Sequence, residues 1–191
     1  DEVLVTGTVD EYIPGGSSTA NLSITEIKNP VIKHVASGKP LPEAIVIGKG
    51  GRIPPKQIIE DDRMEKFEPY QDGLDFFESL ESMLVLVDDA IVVGPTNAYK
   101  EMVVLADNGQ GAGLRSYRGG IVVQENDFNP ERIMIDDLLA ILPDVKVGDR
   151  FEGPLVGVVD YNFGSFRILV KQRPIVKAGG LLPANAPTVN E

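Results

Sequence analysis

The residues best equipped for chemistry are acidic and close together. Glu60, Asp61, Asp62, Asp72, Asp75 and Glu78 place hard carboxylate oxygens on loops around a short helical stretch, the donor type that calcium takes. Asp61, Asp62, Asp72, Asp75 and Glu78 are the candidate metal ligands, with Ca2+ as the implied ion. Their spacing is not that of an EF-hand, and the same run also reads as a solvated charged face. Asp107 with Asn108, and Asp136 with Asp137, are smaller sets of the same kind. A second group suits single-stranded nucleic acid, which stacks bases on aromatic rings beside cations. Tyr161, Arg167 and Lys171, with Phe163 and Phe166 nearby, could form one such patch, and Arg115, Tyr117 and Arg118 another on a loop. The two phenylalanines also suit a core.

Other motifs carry less. His34 is the only histidine and sits in a proline-flanked connector, with no nucleophile elbow near it. Gly48-Lys49-Gly50-Gly51-Arg52 and Gly109-Gln110-Gly111-Ala112-Gly113 lack the Lys-Ser/Thr ending of a phosphate loop and read as turns. No catalytic residue is assigned. The 191 residues hold 18 basic and 29 acidic side chains, a net charge of -11. Residues 60–89 alone hold eleven acidic and two basic ones, a face that repels phosphate backbones. The absence of cysteine excludes disulfides and thiolate metal sites. The longest apolar run, Met83–Pro95, is too short to span a membrane and contains Asp88 and Asp89. The chain opens on Asp1 without a signal peptide, which reads as a processed product or a fragment.

These residues would be positioned mainly by strands. Val147–Lys171 reads as a β-hairpin turning at Asp160-Tyr161-Asn162-Phe163-Gly164. Its first arm has the nearly continuous apolar run of a strand buried on both faces, and its second alternates as a half-exposed strand. Asp1–Tyr12 lines up loosely with Asp149–Tyr161 through a shared Gly-x-Val-Asp, suggesting a piece of a second unit. Val3–Val9 and Leu22–Ile27 predict an opening hairpin, followed by a proline-punctuated connector with one short strand at Ala44–Ile47. A helix is expected over Asp75–Ser82, where Phe76, Phe77, Leu80 and Met83 recur at helical spacing. Strands follow at Leu84–Val93, Glu101–Ala106, Gly120–Gln124 and Arg132–Ile135, with one or two helical turns at Asp136–Leu142. The end of the chain has linker composition.

Several of these stretches together resemble large secreted bacterial nucleases of the endonuclease/exonuclease/phosphatase class. The resemblance lies in Asp75–Val85, in Gly94–Asn97 followed by Glu101–Leu105, in Arg132–Asp137, and in Gly148–Phe166 with its Gly157-Val158-Val159-Asp160-Tyr161. It covers residues 72–171 with four motifs in order. It implies a non-catalytic OB-like β-barrel ahead of a metal-dependent phosphodiesterase domain whose Asn, Glu, His and Asp set has no counterpart here. The opening hairpin is similar to the second half of a preceding OB-like module.

The expected fold is therefore mainly β: an OB-like β-barrel with one short helix, plus an N-terminal hairpin from a partial second module. The expected divisions are 1–56 for hairpin and connector, 57–176 for the barrel and 177–191 for a linker-like tail. The resemblance implies a secreted, extracellular setting, with nucleic acid or a catalytic domain of the same parent chain as partner. A rival expectation is an extracellular structural subunit. Unpaired strand edges are templates for β-strand addition, so copies of the chain would assemble through them, with calcium assisting.

Overall fold

The computed structural model describes residues 1–184. Strands run over Glu2–Tyr12 (β1), Ile24–Ala36 (β2), Ile45–Ile47 (β3), Leu84–Val87 (β4), Ile91–Gly94 (β5) and Met102–Leu105 (β6). They continue over Ile133–Asp136 (β7), Arg150–Phe151 (β8), Leu155–Asn162 (β9), Ser165–Val170 (β10) and Val176–Lys177 (β11), with one α-helix at Gly73–Glu78 (α1). The protein is mainly β, with one short helix and an N-terminal hairpin, as the pattern of short apolar runs and turns predicts.

β3 to β11 form one sheet in the order β11-β8-β5-β6-β7-β10-β9-β4-β3, curled into a half-barrel. The β3–β4 and β7–β10 pairs are parallel and the others antiparallel. The core lies on one side of the curl, where Val85, Val104, Ile133 and Ile168 meet Phe76, Phe77 and Leu80 from the helical segment. Phe77 stacks on Phe166 of β10 with ring centroids 6.1 Å apart, so α1 is held by the sheet it covers.

The β9–β10 hairpin is tighter than expected. Its ladder runs without interruption to Asn162↔Ser165, leaving a two-residue turn at Phe163 and Gly164. Both have positive φ, 50° and 77°, the combination that matches strand twist in two-residue hairpins. Asn162 Oδ1 accepts the Phe163 N–H at 2.9 Å and so supports a conformation that phenylalanine seldom adopts. The burial of the two strands is the reverse of the expectation. β9 alternates buried and half-buried residues, whereas β10 is buried at every position after Ser165. A polar group explains part of this: Arg167 lies under partners of its own, which roof the outer face of β10.

Elsewhere the boundaries differ for identifiable reasons. The single strand expected over Leu84–Val93 is two, broken at Asp88 and Asp89, where Asp89 takes φ 45°. Gly120–Gln124 is no strand; it sits in a turn-rich loop with only isolated bridges, Arg115↔Ile121 and Gln124↔Asp127. Asp136–Leu142 is not helical, because Asp136 ends β7 and its Oδ1 accepts the Leu138 N–H at 2.9 Å in a side-chain turn. The strand in the connector joins the large sheet as β3, beside β4.

β1 and β2 form a separate two-stranded sheet. β2 runs straight through Pro30, which sequence rules place at a strand edge or bulge. A bulge is what the structure has: the register shifts between Thr6 and Thr8, leaving Asn29 and Pro30 outside the ladder. The hairpin touches the sheet through its turn. The Leu22 N–H donates to Tyr161 Oη at 3.0 Å, the Thr25 N–H donates to Glu81 at 3.1 Å, and Leu22 and Ile24 pack on the core. Beyond that base it is exposed on both faces. At the other end, Gly179 N–H donates to Asp149 Oδ1 at 2.7 Å and Arg118 donates to the Leu182 carbonyl at 2.6 Å. The rest of the expected linker, 185–191, lies outside the described residues.

Candidate functional site

The acidic group is divided by the fold. α1 begins at Gly73, and Asp72 precedes it in extended conformation. Gly73 and Leu74 N–H groups donate to the Ile58 and Ile59 carbonyls, both at 3.0 Å. That pairing lays the following Glu60 and Asp61 beside Asp72, and one carboxylate oxygen from each of the three lies within 4.8 Å of the others. Asp72 is 1 % exposed. Asp75 is also buried; its Oδ2 accepts the Glu68 N–H and its Oδ1 has no partner. The other two candidates serve elsewhere. Asp62 accepts the Glu65 and Lys66 N–H groups at 2.9 and 3.1 Å as a turn cap, and Glu78 faces Glu81 and Glu11 near the hairpin base.

Burial raises the Asp72 carboxyl to about 6, and the neighbouring charges of Asp61, Glu60, Asp75 and Glu68 add to it. Glu78, Glu81 and Asp160 are also raised, each chiefly by burial. A carboxyl that holds its proton more tightly when folded adds stability below its unfolded pKa, and that stability disappears as pH rises through the folded value. Metal-free protein is therefore expected to melt at a higher temperature at pH 5 than at pH 7.5 when followed by circular dichroism in chelator. A melting temperature that climbs with pH over this interval would contradict the assignment.

The basic and aromatic candidates do not assemble into a binding face. Tyr161 is 3 % exposed because it lies on the inner side of β9, with its hydroxyl committed to Leu22. Arg167 is 6 % exposed. Its Nη1 donates to Asp136 Oδ2 at 2.6 Å and Glu101 Oε1 at 3.1 Å, and its Nη2 donates to the Asn162 carbonyl at 2.6 Å. The Phe163 ring lies 5.7 Å from the guanidinium. Neither residue can offer itself to a nucleic acid without dismantling these contacts. Arg115 braces its own loop, donating to the Gly119 carbonyl through Nε and Nη2 at 3.1 and 2.6 Å. Tyr117 and Lys171 are exposed, and Arg118 is half-buried with its guanidinium bonded to the Leu182 carbonyl.

One polar group escaped the sequence reading. Asp127, Asn129 and Glu131 are all buried in the loop before β7. Glu131 Oε1 accepts the Gly113 N–H at 2.8 Å, and Asp127 Oδ1 accepts the Asn129 N–H at 3.1 Å. A Cβ on Gly113 would lie 2.5 Å from Asp127 Oδ2, so glycine is what lets the loop close on these groups. The sequence signal was the period-two repeat Asp127-x-Asn129-x-Glu131, unusual among residues destined for burial.

The most conspicuous surface is the β1–β2 arm. Val3, Leu4, Val5, Val9, Tyr12, Ile27, Val31, Ile32 and Val35 are all exposed, and Val9 and Val31 reach 70 %. Among the described residues β1 and β2 pair only with each other, which leaves both long edges open. A two-stranded sheet of this kind is marginal by itself in water.

A family model described as a domain of unknown function (DUF8508) matches residues 46–178. The chain belongs to this family. The DUF8508 span begins within β3 and ends just past β11, so it contains the nine-stranded sheet and leaves out the arm. No curated protein and no solved structure matches the chain. No helix among the described residues is long and apolar enough to cross a membrane.

Proposed function

We propose that this chain is a non-catalytic docking module of a secreted, nuclease-type protein, with the nine-stranded sheet as a rigid base and the β1–β2 arm as the contact. The observation that carries this reading is the arm: two long strands with open edges and apolar side chains on both faces, a half-made sheet that a partner's strands would complete. The resemblance to the region ahead of a metal-dependent catalytic domain supplies the partner, a β-structured part of the same parent protein. The four motifs that carry the resemblance support it further, because they fold into one unit, the helix and strands β4 to β10 of a single sheet. With Tyr161 and Arg167 buried, docking is favoured over positioning nucleic acid.

A second reading shares the observation. Because each strand of the arm has a free outer edge, β1 of one copy can meet β2 of the next, a head-to-tail contact that propagates. Sedimentation of the chain alone, and mixed with a separately produced catalytic domain of the resembled class, distinguishes the readings. The expected result is a one-to-one complex that Val9→Lys with Ile32→Lys abolishes. Growth of the chain into large species on its own would favour self-assembly. A monomer indifferent to both would overturn the proposal.

A further inference from the structure

We infer that Glu60, Asp61 and Asp72 hold a calcium ion that fastens the long loop between β3 and α1 to the helix it leads into. The three carboxylates converge to within 4.8 Å, yet among the described residues no lysine or arginine forms an ion pair with any of them. Two of their oxygens are available to a cation. Asp72 Oδ2 and Glu60 Oε2 are shielded from solvent and accept no hydrogen bond. An unpartnered carboxylate oxygen on a residue 1 % exposed is costly to bury, and more so beside two like charges.

The site is built before any ion arrives. The two backbone bonds from Gly73 and Leu74 to Ile58 and Ile59 fix the two halves side by side, and the Ile58↔Asp72 bridge continues the pairing. Glu60 Oε1 accepts the Asp62 N–H at 2.8 Å, which leaves Oε2 as its free donor. The all-oxygen donor set suits a hard cation. Ligands about 2.3–2.6 Å from calcium stand up to about 5 Å apart across the ion, which the observed spread satisfies; magnesium, at about 2.0–2.1 Å, requires a tighter cage. Asp61 is exposed and Glu60 half-buried, so water can complete the coordination from the open side. The loop has much to gain. Residues 48–72 contain no helix or strand, and the ion would join its middle to its end.

The test uses the whole chain, stripped with chelator at pH 7.5, and calcium chloride as the probe in isothermal titration and thermal melts. The expected result is one site per chain and a melting temperature several degrees higher with millimolar calcium. Asp72→Asn and Glu60→Gln should each weaken binding at least tenfold, whereas Asp62→Asn, at the neighbouring turn cap, should leave it unchanged. Misfolding is excluded as the cause if metal-free Asp72→Asn melts no lower than the metal-free parent, as removal of an unpaired buried charge predicts. Absence of binding at 10-fold above millimolar calcium (~10 mM), parental affinity in Asp72→Asn, or an equal response to magnesium would overturn the inference.

Discussion

Arg167→Ala is expected to lower the melting temperature by roughly 6–20 °C. Removing one partner of a buried ion pair leaves the others uncompensated, at a cost of about 3–5 kcal/mol. In a chain of this length each kcal/mol moves the midpoint by about 2–4 °C. The Arg167 site is close to the unfavourable limit, because one side chain serves the ends of three neighbouring strands. From β10 it reaches Asp136 at the end of β7, Glu101 just before β6 and the Asn162 carbonyl at the end of β9. Asp136 and Glu101 side chains are only 12 % and 14 % exposed, so neither carboxylate can recover much hydration. Differential scanning calorimetry of Arg167→Ala, beside Arg167→Met combined with Asp136→Asn, separates charge from packing. The double variant should recover much of the loss, since it leaves fewer buried charges unpaired. A single variant within about 1 kcal/mol of the parent would mean that the network is ornamental.

Arg167 also shows what the sequence could not convey. Alternation in Phe166, Ile168 and Val170 located the inner face of the strand, but it is silent on whether the other face is covered. The cover comes from Asp136 and Glu101, 31 and 66 residues away in sequence. For the same reason Tyr161 passed for a stacking platform: its position in the strand was legible, and the hydroxyl's partner on the distant hairpin turn was not. Asp72 was recognisable as an acid near a helix start, but its burial follows from pairing between the Ile58 and Gly73 segments, which no local pattern announces. Pro30 hid the true length of β2, because the bulge that accommodates it depends on Gly7 in the facing strand. What local chemistry decides was legible: a hairpin turning near Gly164, though not its two-residue tightness, the short helix and the mainly β character.

Gly157→Ala is expected to cost about 3 kcal/mol or more, near or beyond the upper end of overpacking effects. A Cβ on Gly157 would lie 2.4 Å from the Leu169 carbonyl oxygen and 2.7 Å from Ile168 Cγ2. The first is backbone in the adjoining strand, pinned by the β9–β10 ladder, and cannot rotate away. Glycine inside a strand marks a point where another backbone approaches closely, and here it admits the Leu169 carbonyl. Gly94→Ala in β5 is the control, because a Cβ there meets nothing within 4 Å. Urea denaturation should place the Gly94 variant within about 1 kcal/mol of the parent, and the Gly157 variant far below it or unable to fold. Equal midpoints for the two would show that the β9–β10 pair yields to a Cβ at Gly157 without cost.

The arm hangs from the sheet by its turn, with Asp1 and Ala36 together at the far end. Tension applied at Asp1 therefore peels the hairpin open one pair at a time, loading few hydrogen bonds at once, instead of shearing the whole ladder. The residues from Asp1 to the anchored Leu22 would pay out roughly 70 Å of extended chain before the contacts at Tyr161 and Glu81 took the load. Strands contributed by a partner would lock this extensible tether, so docking and mechanical stiffness would rise together.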